Sequence, residues 1–366
     1  MSRPRAREFG VSFSGRPGAL NAITDVAGVE VGHFTLIRGG GVRTGVTTVW
    51  PRGRQDSDPV FAGHFALNGN GEMTGTAWIA ESGFLDGPVL LTNTHSVGTV
   101  RDAYIRWLIR TGRSPATNAG HPGGFWVLPV VAETFDGYLN DINGFHIQYE
   151  HVVECLEAAR SGPVPEGAVG AGTGSICYGF KGGIGTASRI IPGPFTLGTL
   201  VQANCGLRHQ LMISGAPIGH ELERKARSSP DEPSGETGSI IVVLSTDAPL
   251  LPHQANRLAK RAAMGLARTG SSAGNGSGDL FVAFSTTAVN RGDEAVEPVL
   301  MMRNEALNPL FEAAVEATEE AIINSLFAAE AMIGLDQHRA NALPLEEVRV
   351  LLERYGRWKE ISGRRT

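Results

Sequence analysis

Cysteine is scarce: Cys155, Cys177 and Cys205 are the only three in 366 residues. An odd number cannot all pair, and their spacing fits no metal site, so neither a disulfide framework nor a zinc module is expected. They read as small buried hydrophobes. Charge is thin as well, at 19% of residues, while apolar residues make up 42%. That balance belongs to a well-buried enzyme and not to a disordered or solvated scaffold. A basic excess is missing: the net charge is −5 and the pI about 6.1, which speaks against a nucleic-acid partner.

Long apolar runs are absent too. The strongest, Ile240-Ile241-Val242-Val243-Leu244, falls far short of the ~18 residues of a membrane span. No apolar stretch follows the basic start MSRPRAREFG, so no secretory signal is read and a cytoplasmic location is expected. Familiar catalytic motifs are missing. The ten histidines form no H-E-x-x-H and no cysteine pairing of zinc-site type, and no serine sits in G-x-S-x-G. His95 and His121 read as lone structural histidines. Asn275-Gly276-Ser277 matches a glycosylation sequon, which means nothing without a secretory signal.

Glycine, by contrast, is abundant: 48 residues, about 13% against an ordinary ~7%. It concentrates in Gly167–Gly185, GAVGAGTGSICYGFKGGIG. The dinucleotide fingerprint breaks at Ser175, and the P-loop reading fails at Phe180 and Gly182. Tight turns and close backbone approach explain these glycines more simply.

No internal repeat is found, and the length suits one large domain or two intimately packed layers. Short apolar or alternating segments predict strands at Val29–Leu36, Val46–Val49, Pro88–Thr92, Phe125–Val131 and Thr199–Ala203, and further on at 239–244 and Leu280–Ser285. Helical spacing appears over Val100–Ile109, Glu150–Arg160, Leu258–Ala267, a long stretch opened by Pro309, and Leu345–Leu352. Mixed strands and helices fit a layered α/β or α+β sandwich.

Residues 221–238, ELERKARSSPDEPSGETG, read as a polar loop that runs straight into the buried strand through Gly238-Ser239. A serine there becomes a nucleophile if the chain is cut before it. Its new α-amine, with an ordinary pKa of roughly 7.7–8.0, then accepts the hydroxyl proton near neutral pH. Glycine before the bond tolerates the geometry that an N→O acyl shift requires. The alternative is an ordinary surface loop feeding a strand.

Four further residues suit such a nucleophile. Ser277 and Asp279 lie two apart before a strand and face one side. Asn204 ends an apolar strand and offers an amide donor for an oxyanion. Glu133 ends another apolar run, where an unpaired carboxylate is costly. It reads either as the seat of a substrate ammonium or as half of a salt bridge to a nearby arginine.

These residues sit in blocks that resemble the DmpA/β-aminopeptidase family of self-processing N-terminal-serine aminopeptidases, nearly end to end. The blocks are Ile23–Val26 through His33, then Asn68-Gly69-Asn70-Gly71-Glu72-Met73-Thr74-Gly75, Thr92–Gly98, Glu133-Thr134-Phe135-Asp136-Gly137, Gly170–Arg189, Val201–Asn204, Gly238–Ile241 and Gly276–Asp279. The resemblance implies a four-layer αββα sandwich of the α+β class, with the connectivity shared by ornithine acetyltransferases. It implies self-cleavage between Gly238 and Ser239 into an α-chain of 1–238 and a β-chain of 239–366, and homo-oligomers of αβ units, commonly four.

Carried over residue by residue, Ser239 is the nucleophile, Ser277 and Asp279 handle its proton, and Asn204 is the oxyanion donor. Glu133 anchors the substrate amine beside Phe135, where relatives often carry Tyr or Trp. Some relatives have Glu where Asp279 stands. The implied activity is cofactor-free and metal-free release of small N-terminal residues (L-, D- or β-aminoacyl) from short peptides, amides and esters. Partners are then small peptide or aminoacyl amide substrates, with no nucleic acid and no membrane. A self-processing acyltransferase and an uncleaved binding protein are the alternatives.

Overall fold

The computed structural model describes residues 3–56, 58–113, 122–225, 238–287 and 296–359. In chain order the principal strands are β1 (Glu30–Arg38), β2 (Val42–Trp50), β3 (Val60–Gly69), β4 (Phe84–Leu85), β5 (Val89–Asn93), β6 (Val130–Thr134), β7 (Gly183–Ile191), β8 (Phe195–Asn204), β9 (Ser239–Thr246) and β10 (Gly278–Ser285). The helices that cover them are α1 (Val97–Thr111), α2 (Tyr149–Glu157), α3 (Pro252–Ala259), α4 (Ala262–Arg268), α5 (Asn308–Ala328) and α6 (Leu345–Arg354).

Two sheets form. One has the order β1-β2-β5-β6 and the other β4-β3-β10-β9-β8-β7. Burial dictates how they stack. In β9 the residues Ile240, Val242 and Leu244 pack with Leu310, Ala314 and Ile322 of α5. Their neighbours Ile241 and Val243 point the other way, onto Val89, Leu91 and Ala132 of the first sheet. A strand with both faces buried needs a continuous apolar run, which is what 240–244 supplies. The outer face of the first sheet carries Val46, Trp50 and Leu90 against Tyr104 and Trp107 of α1 and Leu156 of α2. Three apolar seams therefore separate four layers: helices, sheet, sheet, helices. This is the αββα arrangement expected above.

Most predicted elements are present, and four depart from expectation. Residues 125–129 form no helix or strand, and the strand runs instead over Val130–Thr134. The helical stretch at 258–267 is two helices, α3 and α4, broken at Lys260-Arg261. Part of the glycine-rich segment is strand β7, missed because its glycines mask the β pattern. A Cβ at Gly185 would run into the Ala321 carbonyl of α5, so glycine lets the helix lie directly on the sheet. The polar segment 221–238 begins as helix Ile218–Lys225, with Glu221 paired to Arg354 at 3.1 Å. The remainder of that loop, 226–237, lies outside the described residues, as does His121.

All three cysteines are buried, as their type suggested. Among the described residues no helix is long and apolar enough to cross a membrane.

Candidate active site

Ser239 is the first residue of β9. The run behind it, buried on both faces, fixes the strand's register, because a one-residue slip would turn every side chain over. That register places Asn204, the last residue of β8, directly opposite Ser239. Gly278, the first residue of β10, lies beside it on the parallel side. Ser239 shares parity with Ile241 and Val243, so its side chain is directed into the space between the sheets. Its Oγ accepts the Gly278 N–H at 3.1 Å. A Cβ on Gly238 would run into the Asn204 carbonyl oxygen. Close approach of two chains, and not a left-handed backbone, is what requires glycine before the serine.

Asn204 is nearly buried and held at both ends of its amide. The Ile176 N–H donates to its Oδ1 at 2.7 Å, and its Nδ2 donates to the Phe135 carbonyl at 2.9 Å. Those partners fix which end is nitrogen. One of the two Nδ2 hydrogens is used by Phe135, and the second is left for another acceptor.

Ser277 and Asp279 meet each other as their spacing suggested: Ser277 Oγ donates to Asp279 Oδ1 at 2.7 Å. Both are buried, and they flank Gly278, the residue that holds the Ser239 hydroxyl.

Glu133 is the next-to-last residue of β6, on the opposite sheet, and only 2% of it is exposed. No arginine pairs with it among the described residues, so the salt-bridge reading does not hold. Its Oε2 accepts from the Thr94 hydroxyl and its Oε1 from the Glu72 N–H at 2.9 Å. Burial pushes its carboxyl above the usual carboxylate range, and those two hydrogen bonds only partly pull it back. Both of its hydrogen-bond donors are neutral; of the titratable groups nearby, Glu72 pushes the carboxyl further up and His95 pulls it down. Gly71 joins this corner to the serine: a Cβ there would lie 3.0 Å from Glu133 Oε1 and 3.3 Å from Gly278 Cα. Beside Gly71 a cavity of about 230 Å³ is lined by Met73, Leu280, Thr76, Ala66 and His64.

Phe135 contributes a backbone contact besides the side-chain place the resemblance gives it. Its ring is 42% exposed and lies over Gly137, while its carbonyl positions Asn204. His95 is exposed and stacks on Phe145 at 6.0 Å between ring centroids. Sequence reasoning also missed the backbone groups of Glu72, Phe135, Ile176 and Gly278, and the Thr94 hydroxyl. All five stand in the blocks quoted above, but of these groups only the Thr94 hydroxyl is a side chain whose type carries a signal.

The model of peptidase family S58 matches residues 21–340. The chain is 50% identical to the β-peptidyl aminopeptidase BapA of Sphingosinicella microcystinivorans, over 97% of this chain and 93% of that protein. It is 43% identical to BapA of Sphingosinicella xenopeptidilytica, over 98% and 93%. Among solved structures it superposes on the L-aminopeptidase D-Ala-esterase/amidase of Ochrobactrum anthropi with a TM-score of 0.89 and 45% identity, covering 98% of this chain and all of the other. That protein is described as a prototype of the serine aminopeptidases and a new variant of the Ntn hydrolase fold. The Burkholderia β-aminopeptidase matches at 0.87 and 45%, with 98% and 100% coverage.

Proposed function

Starting from the finding that this chain belongs to peptidase family S58 and is a serine aminopeptidase with an Ntn-hydrolase fold, we propose that it activates itself by cutting between Gly238 and Ser239. The products are an α-chain of 1–238 and a β-chain of 239–366. The observation that carries this reading is the position of Ser239: first in its strand, behind a tightly packed glycine, between Asn204 and Gly278.

In turnover the Ser239 Oγ attacks the substrate carbonyl carbon. Its proton passes to the freed α-amine of Ser239, or into the hydrogen-bonded Ser277–Asp279 pair. The spare Nδ2 hydrogen of Asn204 donates to the oxyanion. Collapse breaks the C–N bond and the leaving amine takes the proton. Water then attacks the acyl-enzyme, loses its proton to the same acceptor, and frees the acid and the serine. Glu133 holds the substrate ammonium, which supplies the positive charge its neutral donors lack. The cavity beyond Gly71 receives the side chain of the acyl group, since it opens next to the ammonium site.

Two of the relatives are β-peptidyl aminopeptidases and one an L-aminopeptidase D-Ala-esterase/amidase, so the substrates we infer are short peptides, amides and esters with a free L-, β- or D-amino terminus. This favours hydrolysis over acyl transfer. We also infer an oligomer of αβ units; the exposed Val296 and Leu300, 79% and 73% accessible, are apolar surface that a second copy would cover.

Intact mass and N-terminal sequencing of the purified protein test the cut. Two chains with Ser239 at one new terminus are expected, together with a single uncleaved and inactive chain for Ser239→Ala. Full activity from an uncut polypeptide would sink the proposal. On processed enzyme, Met73→Trp should cut kcat/KM about 10-fold or more for a leucyl anilide and little for a β-alanyl one.

A further inference from the structure

Lys181 has no part in the chemistry above, yet it is completely buried. It ends a short strand, Phe180–Lys181, paired with Ile176–Cys177. Among the described residues no carboxylate lies within ion-pair distance of it. Its Nζ instead donates to three backbone carbonyls: Gly172 at 3.1 Å, Ser175 at 2.7 Å and Gly182 at 2.8 Å. Three acceptors match the three N–H donors of an ammonium, one more than a neutral amine offers. Burial draws its pKa down to about 7, opposed by Cys177 and then by Asp136, itself buried and hydrogen-bonded by Asn140, Asn93 and Thr44. A fold seldom buries a lysine this deeply without giving it a task.

The peptide group between Ser175 and Ile176 shows what the task is. Its carbonyl takes the Lys181 ammonium, and its N–H donates to Asn204 Oδ1 at 2.7 Å. One rigid, planar unit therefore joins the buried cation to the Asn204 amide. A cation on the carbonyl oxygen withdraws electrons through the amide and makes its N–H a stronger donor. A stronger donor on Asn204 Oδ1 does the same to the Asn204 Nδ2 hydrogens. The Gly172 and Gly182 carbonyls hold the cation in line with that peptide.

We propose that Lys181 is a positioning residue: through the Ser175–Ile176 peptide it orients and polarises the Asn204 amide toward the oxyanion. The proposal rests on the reading of Asn204 as the oxyanion donor. It predicts a defect in kcat and not in KM, because the oxyanion exists only beyond the ground state.

A double-mutant cycle on processed protein tests it, with kcat and KM for an aminoacyl anilide measured in Lys181→Met, Asn204→Ala and the pair. Asn204→Ala should lower kcat about 10²- to 10³-fold, the usual cost of one oxyanion donor. Lys181→Met should lower kcat about 10- to 100-fold with KM within threefold. The double variant should be no slower than Asn204→Ala alone, within about threefold, because the lysine acts only through the asparagine. Losses that multiply, or a rise in KM with unchanged kcat, overturn the positioning role. An unimpaired Asn204→Ala overturns the oxyanion reading instead, and with it the premise of the proposal. Should Lys181→Met fail to fold or process, Lys181→Ala refolded with ethylammonium serves in its place. Recovery of kcat with the amine but not with ethanol supports the role, and recovered folding without recovered kcat overturns it.

Discussion

Two parts of this molecule bury charge, and they do so in opposite ways. On the outer face of the larger sheet Arg189 of β7 is 1% exposed, with Nη2 2.8 Å from Glu320 Oε2 and Nε 3.2 Å from Glu316 Oε2. Arg7 joins the same Glu320 at 2.7 Å. There each buried charge meets an opposite one. Between the sheets, at the serine end, Glu133 and Lys181 are as deeply buried but meet only hydroxyls, amides and carbonyls. A paired network holds the fold and leaves nothing to bind. An unpaired charge kept out of water is costly to the fold, and the cost is relieved when a ligand or transition state supplies the missing partner. Burial alone does not separate the two kinds of charge; the chemistry of the partners does.

The sharpest way to break this contrast is at Arg189. Arg189→Met takes from the buried Glu320 one of its two cations, leaving it Arg7, and should cost about 3–5 kcal/mol in denaturant unfolding. The protein that remains folded should keep its kcat. A loss below 1 kcal/mol, or a slowed kcat in folded protein, would erase the distinction.

Glu133→Gln should do the reverse. Losing a charge-assisted contact to the substrate amine should lower kcat/KM about 10- to 100-fold, through KM. The unfolding midpoint should stay level or rise, since a desolvated carboxylate has been removed. Self-cleavage should proceed normally.

Acidity sharpens the point further. Because burial raises the Glu133 pKa, lowering the pH protonates it before an ordinary carboxylate, and KM for an aminoacyl anilide should climb in a range above pH ~4.3. That climb should be missing in Glu133→Gln. Stability runs the other way: between the unfolded and folded pKa the unfolded chain is ionised and the folded one is not. The wild type should therefore lose stability relative to Glu133→Gln as pH rises through that window. KM profiles and denaturation at several pH values check both signs.

The smallest effect belongs to pairs on the surface. Arg349 contacts Glu346 and Glu353 at 3.2 and 2.9 Å on the outer face of α6. Arg349→Ala should cost less than about 1 kcal/mol, and 1 M salt should remove most of that.

What the sequence made legible follows from where side chains carry the signal. The run 240–244 announces a strand buried on both faces, and the seams around it confirm the layering. Ser239, Asn204, Glu133, Ser277 and Asp279 stand at strand ends, where polar residues interrupt apolar runs. β7 escaped because its fit to α5 depends on the absence of a side chain at Gly185. Ile176, Phe135, Gly278 and Glu72 escaped because they act through backbone atoms that every residue possesses. Lys181, amid glycines, looks like a loop lysine until three carbonyls are seen to converge on it.

The order of strands in the larger sheet carries one more consequence. β9 and β10 lie in its middle, with β3 on one flank and β8 on the other. If the backbone is severed ahead of residue 239, the later piece remains stitched into the earlier one along both borders. The fragments are warp and weft of one cloth, and either made alone would show raw selvedges that invite clumping. Scission there would thus change the chemistry and leave the architecture whole.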